Sequence, residues 1–236
     1  MKKCLYCNKE FVSRKSNAKY CSKSCSVQDR YKDDIGLFRG DISDSIKRYI
    51  LGLFITDGCL TKNGKKEVMV ISLKDEEMII KIRNLVCPTK KVYKDGNNFQ
   101  VRWRNEKDVK ILNKLGIKQR KSLDVPFIRI NRNVWSFISG VFDGDGSVYE
   151  SKTCDKRTSK EYKYKYVSFT CGSNEFAEGL NEFLNNNGIK SKIYKEKRSN
   201  NVLYVKILNI EGVNLLKEKM YNNEKEWLLT RKYNIF

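Results

Sequence analysis

Two acidic side chains close two similar segments of this chain, and acids so placed attract divalent cations. The first segment runs Ile50-Leu51-Gly52-Leu53-Phe54-Ile55-Thr56-Asp57-Gly58, and the second Ile138-Ser139-Gly140-Val141-Phe142-Asp143-Gly144-Asp145-Gly146. Both read as helices. Gly52 and Gly140 lack a Cβ, so two helix backbones can approach closely there. Paired in that way, the helices bring Asp57 and Asp145 together at their C-terminal ends. Two like charges at the negative ends of two dipoles are costly without a cation. An all-oxygen carboxylate pair suits Mg²⁺. On a phosphodiester such ions polarise the phosphate, lower the pKa of an attacking water and stabilise the leaving oxygen.

A second constellation lies at the N-terminus. Cys4 and Cys7 form one close pair and Cys21 and Cys25 another, with thirteen residues between them. Two such pairs on tight turns can close a tetrahedral four-thiolate zinc site. Phe11 and Tyr20 are its apolar cap, and a segment this short takes most of its folding energy from the metal. Lys9, Arg14, Lys15, Lys19 and Lys23 surround it, either as phosphate contacts or as a solvated basic surface. Cys59, Cys87, Cys154 and Cys171 are isolated and read as small core or strand residues.

Composition narrows the partner. A formal charge of +20 over 236 residues, with a pI near 9.6, points to a polyanion. No basic amphipathic helix stands out for an anionic membrane, and no apolar run reaches the roughly 18 residues of a membrane span. The start Met1-Lys2-Lys3-Cys4 has no apolar signal region, so the expected place is a reducing cytoplasm, of a bacterium or a phage host by its Lys- and Asn-rich composition, with an organelle as the alternative. There is no histidine. That excludes nucleases built on a histidine base or ligand, Ser-His-Asp chemistry, and the His-Asn ending typical of splicing domains.

The elements that must position the acids repeat. Lys91–Lys94 matches Lys192–Lys195, Phe99–Asn105 matches Leu203–Asn209, Val109–Leu112 matches Val213–Leu216, and Gln119-Arg120-Lys121 matches Thr230-Arg231-Lys232, in the same order as the two motifs. Each copy reads helix, strand pair, helix, strand pair, helix. Residues 1–28 are expected to form the zinc module, 29–43 a linker, 44–130 the first repeat and 131–236 the second. Ser43 or Asp44 caps the first motif helix, and the glycine after each motif acid suits a C′ cap. The segment 74–86 reads as an amphipathic helix with Ile79, Ile80, Ile82 and Leu85 inward, and its counterpart spans 175–184. One strand alternates Phe99, Val101 and Trp103 against Gln100, Arg102 and Arg104. Its counterpart alternates Leu203, Val205 and Ile207 against Tyr204, Lys206 and Leu208. One face packs on helices and the other is open to a ligand.

From about residue 44 to the C-terminus the chain resembles the LAGLIDADG endonucleases, named for the motif that segments 50–58 and 138–146 resemble. The resemblance implies an α+β fold of two pseudo-symmetric αββαββα repeats, forming a saddle of two antiparallel sheets over double-stranded DNA. It implies a site-specific homing endonuclease that cuts both strands and leaves short 3′ overhangs, with Asp57 and Asp145 as the metal-binding catalytic acids. It further implies basic residues near the site that organise water and stabilise charge, for which Lys121 and Lys232 stand in matching places. Ile55 departs from the pattern, because the second motif keeps Asp143 there.

For DNA contact the candidates are Gln100, Arg102, Arg104, Tyr162, Lys163, Lys165, Lys195, Tyr204 and Lys206. Arg pairs with guanine and Gln with adenine in the major groove, although a basic–aromatic strand is also what a solvated edge looks like. Two unequal halves on one chain imply a monomer on a long asymmetric target. The alternatives are an intron maturase binding RNA and a regulator that has lost cleavage.

Overall fold

The computed structural model describes residues 1–63, 66–119, 123–154, 157, 161–196, 202–222 and 226–236. Helix, strand pair, helix, strand pair, helix is the order of elements in both halves. In the first, α2 (Asp44–Asp57) leads into the hairpin β3 (Gly58–Asn63) and β4 (Lys66–Leu73), then α3 (Glu76–Val86), the hairpin β5 (Tyr93–Asp95) and β6 (Asn98–Trp103), and α4 (Glu106–Lys114). The second runs α5 (Val134–Asp145), β7 (Gly146–Cys154), β8 (Glu161–Cys171), α6 (Asn174–Asn186), β9 (Lys192–Lys195), β10 (Leu203–Ile207), α7 (Ile210–Tyr221) and the short α8 (Thr230–Tyr233). Before them come the two-residue strands β1 (Lys2–Lys3) and β2 (Glu10–Phe11) and the helix α1 (Lys23–Arg30). The two large sheets have orders β3-β4-β6-β5 and β7-β8-β10-β9, with all neighbours antiparallel. This is a mixed α+β architecture with the expected pseudo-symmetry.

The centre is the pair α2 and α5. Ser43 caps α2 by accepting from Ile46 N at 3.3 Å. A Cβ on Gly52 would collide with the Phe137 carbonyl and stand 2.7 Å from Val141 N, and one on Gly140 would collide with the Tyr49 carbonyl. The two glycines therefore let backbone meet backbone. Each sheet lays one face on this pair. Val101 and Trp103 of β6, and Val205 and Ile207 of β10, are buried in one continuous core with Leu53, Phe54, Phe137 and Phe142. The Trp103 ring meets Phe54 edge-on at 6.2 Å. In α3 the buried residues are Met78, Ile79, Ile82 and Val86, while Ile80 and Leu85 lie at its half-buried margin.

One expectation changes. Gly58 and Gly146 are not left-handed caps, since their φ values are −95° and −83° and the chain passes straight from helix into strand. Glycine is needed there for space, because a Cβ would strike the ring and carbonyl of Phe54 or Phe142. The stretch read as a linker is docked on the first repeat. Ile35 N and Gly36 N both donate to Val86 O, and Leu37 N and Phe38 N donate to the two carboxylate oxygens of Asp108. Asp108 also accepts from Trp103 Nε1 at 3.0 Å, and Leu37 and Ile42 join the core. Among the described residues no helix is long and apolar enough to cross a membrane.

Candidate active site and nucleic-acid interface

Asp57 and Asp145, the last residues of α2 and α5, line one open cavity of about 450 Å³. Its walls come from both repeats: Ser72, Lys74 and Asn98 on one side, Ser147 and Thr170 on the other, with Arg231 and Lys232 from the C-terminal segment. Gly144 explains how the acids come close. A Cβ there would strike the Thr56 side chain and lie 2.8 Å from Asp57 Oδ2, so only glycine lets the Asp57 carboxylate nestle against the end of the other helix. Sequence reasoning did not find Ser72, Lys74, Asn98 or Thr170. The signal was available in the strand register, because Ser72 pairs with Gln100 and Thr170 with Tyr204 on the faces already judged open.

Lys232 sits directly beneath the acids. Its Nζ donates to the carbonyls of Phe142, Gly144 and Gly146 at 2.9, 2.8 and 2.7 Å. An ammonium has three N–H donors, so all three are committed to carbonyls at the junction of α5 and β7, where Phe142 O also accepts from Gly146 N. Burial pulls the Lys232 pKa down to about 8, against the opposing charges of Asp143, Asp57 and Asp145. These hydrogen bonds hold its charge near Asp57 and Asp145 and tie down the turn at Asp145. Lys121 lies outside the described residues. Arg231 is held by Asp75, with Nε 3.0 Å from each carboxylate oxygen, and so ties the C-terminal segment to the first repeat.

Asp143 organises this side of the site. It is buried and accepts from Tyr49 OH at 2.7 Å, Leu229 N at 2.7 Å and Tyr221 OH at 3.4 Å. Burial raises its pKa to about 6, even though the Tyr49 and Leu229 bonds pull the other way. Leu229 is the N-cap of α8, which carries Arg231 and Lys232. Asp143 therefore fixes the helix that delivers Lys232 to the end of its own helix α5. The first repeat has the apolar Ile55 at that place, buried in the core. Asp143→Ala leaves Tyr49 OH and Leu229 N without a buried acceptor, and is expected to cost about 3 kcal/mol. Chemical denaturation checks this, and an unchanged midpoint would contradict the anchoring role.

The register sorts the DNA candidates. On the open face of the first sheet stand Gln100 and Arg102, with Tyr93 opposite Gln100. Gln100 donates to Asp95 Oδ2 at 2.6 Å and accepts from Arg102, whose guanidinium remains exposed. Arg104 continues the alternation but is buried, with a guanidinium N–H donating to Gln28 Oε1 at 2.8 Å. In the second sheet, Tyr204 and Lys206 share the open face with Tyr149, Tyr164, Tyr166 and Tyr194. Tyr149 and Tyr166 stack at 5.0 Å, and the Lys206 ammonium lies within 6 Å of the rings of Tyr166, Tyr194 and Tyr204. Tyr162 shares their register, although its side chain falls outside the described residues. Two candidates move off this face. Lys165 alternates with the tyrosines and shares a side with Val167 and Phe169, where it pairs with Glu150 at 3.2 Å; Lys195 stands opposite the buried Leu203. Lys163 pairs with Lys152 in the register, and its side chain falls outside the described residues. The Tyr-Lys alternation announced a two-sided strand, but only the pairing with β10 says which set faces out.

A family profile described as a LAGLIDADG-like domain matches residues 132–221, and one described as a WhiA LAGLIDADG-like domain matches residues 46–133. The chain belongs to the LAGLIDADG family. Among solved structures, the meganuclease I-SmaMI bound to an uncleavable DNA matches with a TM-score of 0.58 and 14% identity, over 79% of this chain and 86% of that one. The LAGLIDADG homing endonuclease I-GzeII in complex with its DNA target matches with a TM-score of 0.56 and 16% identity, over 79% and 86%. At such identities the likeness is one of fold. I-SmaMI has also been solved with uncleaved target and calcium ions, and bound to cleaved DNA. Comparison with curated proteins finds no match. In LAGLIDADG terms, Asp57 and Asp145 close the two motifs, and Gly52 and Gly140 are the contact points of the motif helices.

The four N-terminal cysteines also converge. Their sulfur atoms all lie within 4.8 Å of one another, with Cys7–Cys21 at 3.6 Å and Cys21–Cys25 at 3.5 Å. Asn8, at φ 59°, makes the first turn, closed by Asn8 N donating to Cys4 O. Ser22 caps α1 and places Cys25 in its first turn. Burial works upward on the Cys4 thiol, but backbone N–H groups of Cys7, Cys21 and Tyr6 bring it down to about 6. Cys21, sharing protons with Cys25 and Cys7, is pushed up to about 12. Phe11 and Tyr20 are half-buried as expected of a cap, and Tyr20 OH donates to Asp29 at 2.8 Å. Cys87 and Cys171 are buried and Cys59 is exposed.

Proposed function

We propose that this protein is a homing endonuclease that hydrolyses both strands of a long, asymmetric duplex DNA with divalent metal ions held by Asp57 and Asp145. The observation that carries the reading is the single cavity in which the two motif acids meet between two open sheet faces. Two carboxylates in one cavity are an all-oxygen donor pair that suits Mg²⁺. Bound there, the ions supply a Lewis acid for the phosphate and a lowered pKa for the attacking water. The chain's own part is positional and electrostatic. Gly52, Gly140 and Gly144 bring the acids together, and Lys232 offsets their charge while fixing the turn at Asp145. Arg102 in one half, and Lys206 with its tyrosines in the other, meet the duplex. Because these faces differ, the two half-sites differ, and one chain carrying both acids acts as a monomer.

The test is incubation of the full chain with Mg²⁺ and DNA spanning the uninterrupted insertion site of its gene. Double-strand cutting that a chelator abolishes is the expected result. Intact DNA with promoted intron splicing would make it a maturase that binds intron RNA. Tight binding without cutting in any divalent metal would make it a regulator, a reading favoured by the WhiA-like match over residues 46–133 and by Ile55 in the first motif.

We also propose that the four cysteines hold one structural Zn²⁺. A zinc tetrahedron with bonds of about 2.3 Å sets its sulfurs roughly 3.8 Å apart, close to the two separations seen here. About one zinc per chain is expected by metal analysis, falling to near zero in Cys21→Ser. Metal-free wild type would remove the assignment and leave the cutting activity untouched.

A further inference from the structure

The side of β6 that carries Gln100 and Arg102 is the open side, since Val101 and Trp103 between them are buried. Arg104 follows just past the end of that strand, and the grip on it comes from α1 and the turn after it. Gln28 takes the guanidinium, Tyr31 lies under it at 5.8 Å, and Asp34 accepts from Arg104 N at 2.7 Å. Lys90 closes the joint, over Tyr31 at 4.0 Å and ion-paired with Asp34. The other end of β6, at Asn98, lines the acid cavity, so the joint lies at the far end of the first sheet.

The joint is also stiff. Within five residues of it, Ile35 and Gly36 are bonded to Val86 O and Leu37 is in the core. Beyond it, α1 leads back to the cysteine cluster, where Lys9, Arg14, Lys15, Lys19, Lys23 and Arg30 are all exposed. Of the acids in the first 32 residues, Asp29 is occupied by Tyr20 and Lys32, which leaves only Glu10 exposed among them. Among the described residues, no segment docks at the equivalent place in the second repeat. After β10, Leu208 and Ile210 are exposed and border an open hollow of about 1080 Å³ with Lys152 and Tyr164.

We propose that the cysteine module is a fixed outrigger of the first-repeat DNA surface, contacting phosphates of the duplex beyond the end of the first sheet. The proposal rests on the DNA-binding reading above. Eight helical residues span about 12 Å, or three to four base-pair steps of roughly 3.4 Å. The added contact is one-sided, because only the first repeat carries a module.

Hydroxyl-radical footprinting of the full chain in calcium, on a duplex with the uninterrupted insertion site, tests this. Protection is expected to run about three to four base pairs further on the first-repeat flank than on the other. A combined Lys15→Ala, Lys19→Ala and Lys23→Ala variant, altering exposed side chains only, is expected to lose that outer stretch and keep the central one. Its slope of log affinity against log salt should fall by about 2 to 3, near 0.9 per lost phosphate contact. A wild-type footprint of equal reach on both flanks, or an outer stretch that survives the triple variant, overturns the outrigger while leaving the saddle intact. Absence of central protection in the wild type overturns the DNA-binding reading and the outrigger with it.

Discussion

Asp145→Asn lowers double-strand cutting at least about a thousand-fold, equivalent to about 4 kcal/mol of barrier, and Asp57→Asn does the same. Asparagine keeps the shape of each side chain and removes the charge that holds a divalent ion beside a phosphate. DNA affinity in calcium should be unchanged or slightly higher, because a negative charge has been taken from a surface that meets phosphates. Both acids line one cavity, and Gly144 opens the space in which Asp57 lies against the end of α5, so the two changes act on one site. Single-turnover cutting of the insertion-site duplex, read together with a binding assay, checks this. A variant that cuts at more than a tenth of the wild-type rate would show that the pair is not the metal site. Loss of binding in step with cutting would instead show damage to the saddle.

The second large effect is on folding. Gly140→Ala should destabilise the protein by about 3 kcal/mol or more, because the added Cβ runs into the Tyr49 carbonyl and comes within 3.0 Å of Leu53 N. Both obstacles are backbone of the opposing helix, so no rotamer change relieves the clash and α2 and α5 must separate along their length. For a domain pair of this size that is a fall in Tm of roughly 6 to 12 °C. Gly52→Ala is expected to behave likewise, since its Cβ meets the Phe137 carbonyl and Val141 N. Gly40→Ala serves as the control, as a Cβ there meets nothing within 4 Å. Differential scanning calorimetry decides. A Gly140→Ala protein melting with the wild type would mean that the helices are not in backbone contact.

Much of the site was legible along the chain because it is local. A glycine five residues before an acid marks the contact and the end of each motif helix, and the duplication turned one weak pattern into two supporting ones. The alternation Val101, Trp103 against Gln100, Arg102 told one sheet face from the other for the same reason: a strand's side chains have period two. The N-terminal cysteines were legible because thiols at that spacing have few other uses.

Elsewhere the sequence was silent, and each case involves a partner far along the chain. Nothing near Lys165 says that it sits behind the tyrosines, because that depends on the pairing of β8 with β10. Nothing near Arg104 says that its guanidinium is spent on Gln28, 76 positions away. Lys232 was found by its place in the repeat, but its work of closing the end of α5 depends on Asp143, which holds Leu229 from 86 positions away. The amino-acid sequence by itself determined the two repeats, the acids, the glycine contacts and the cysteine set, since composition and short-range period carry them. Which lysine meets the cavity, which face each strand shows and where the N-terminal module is moored were decided only by tertiary structure, because hydrogen bonds and burial between distant segments leave no period to read.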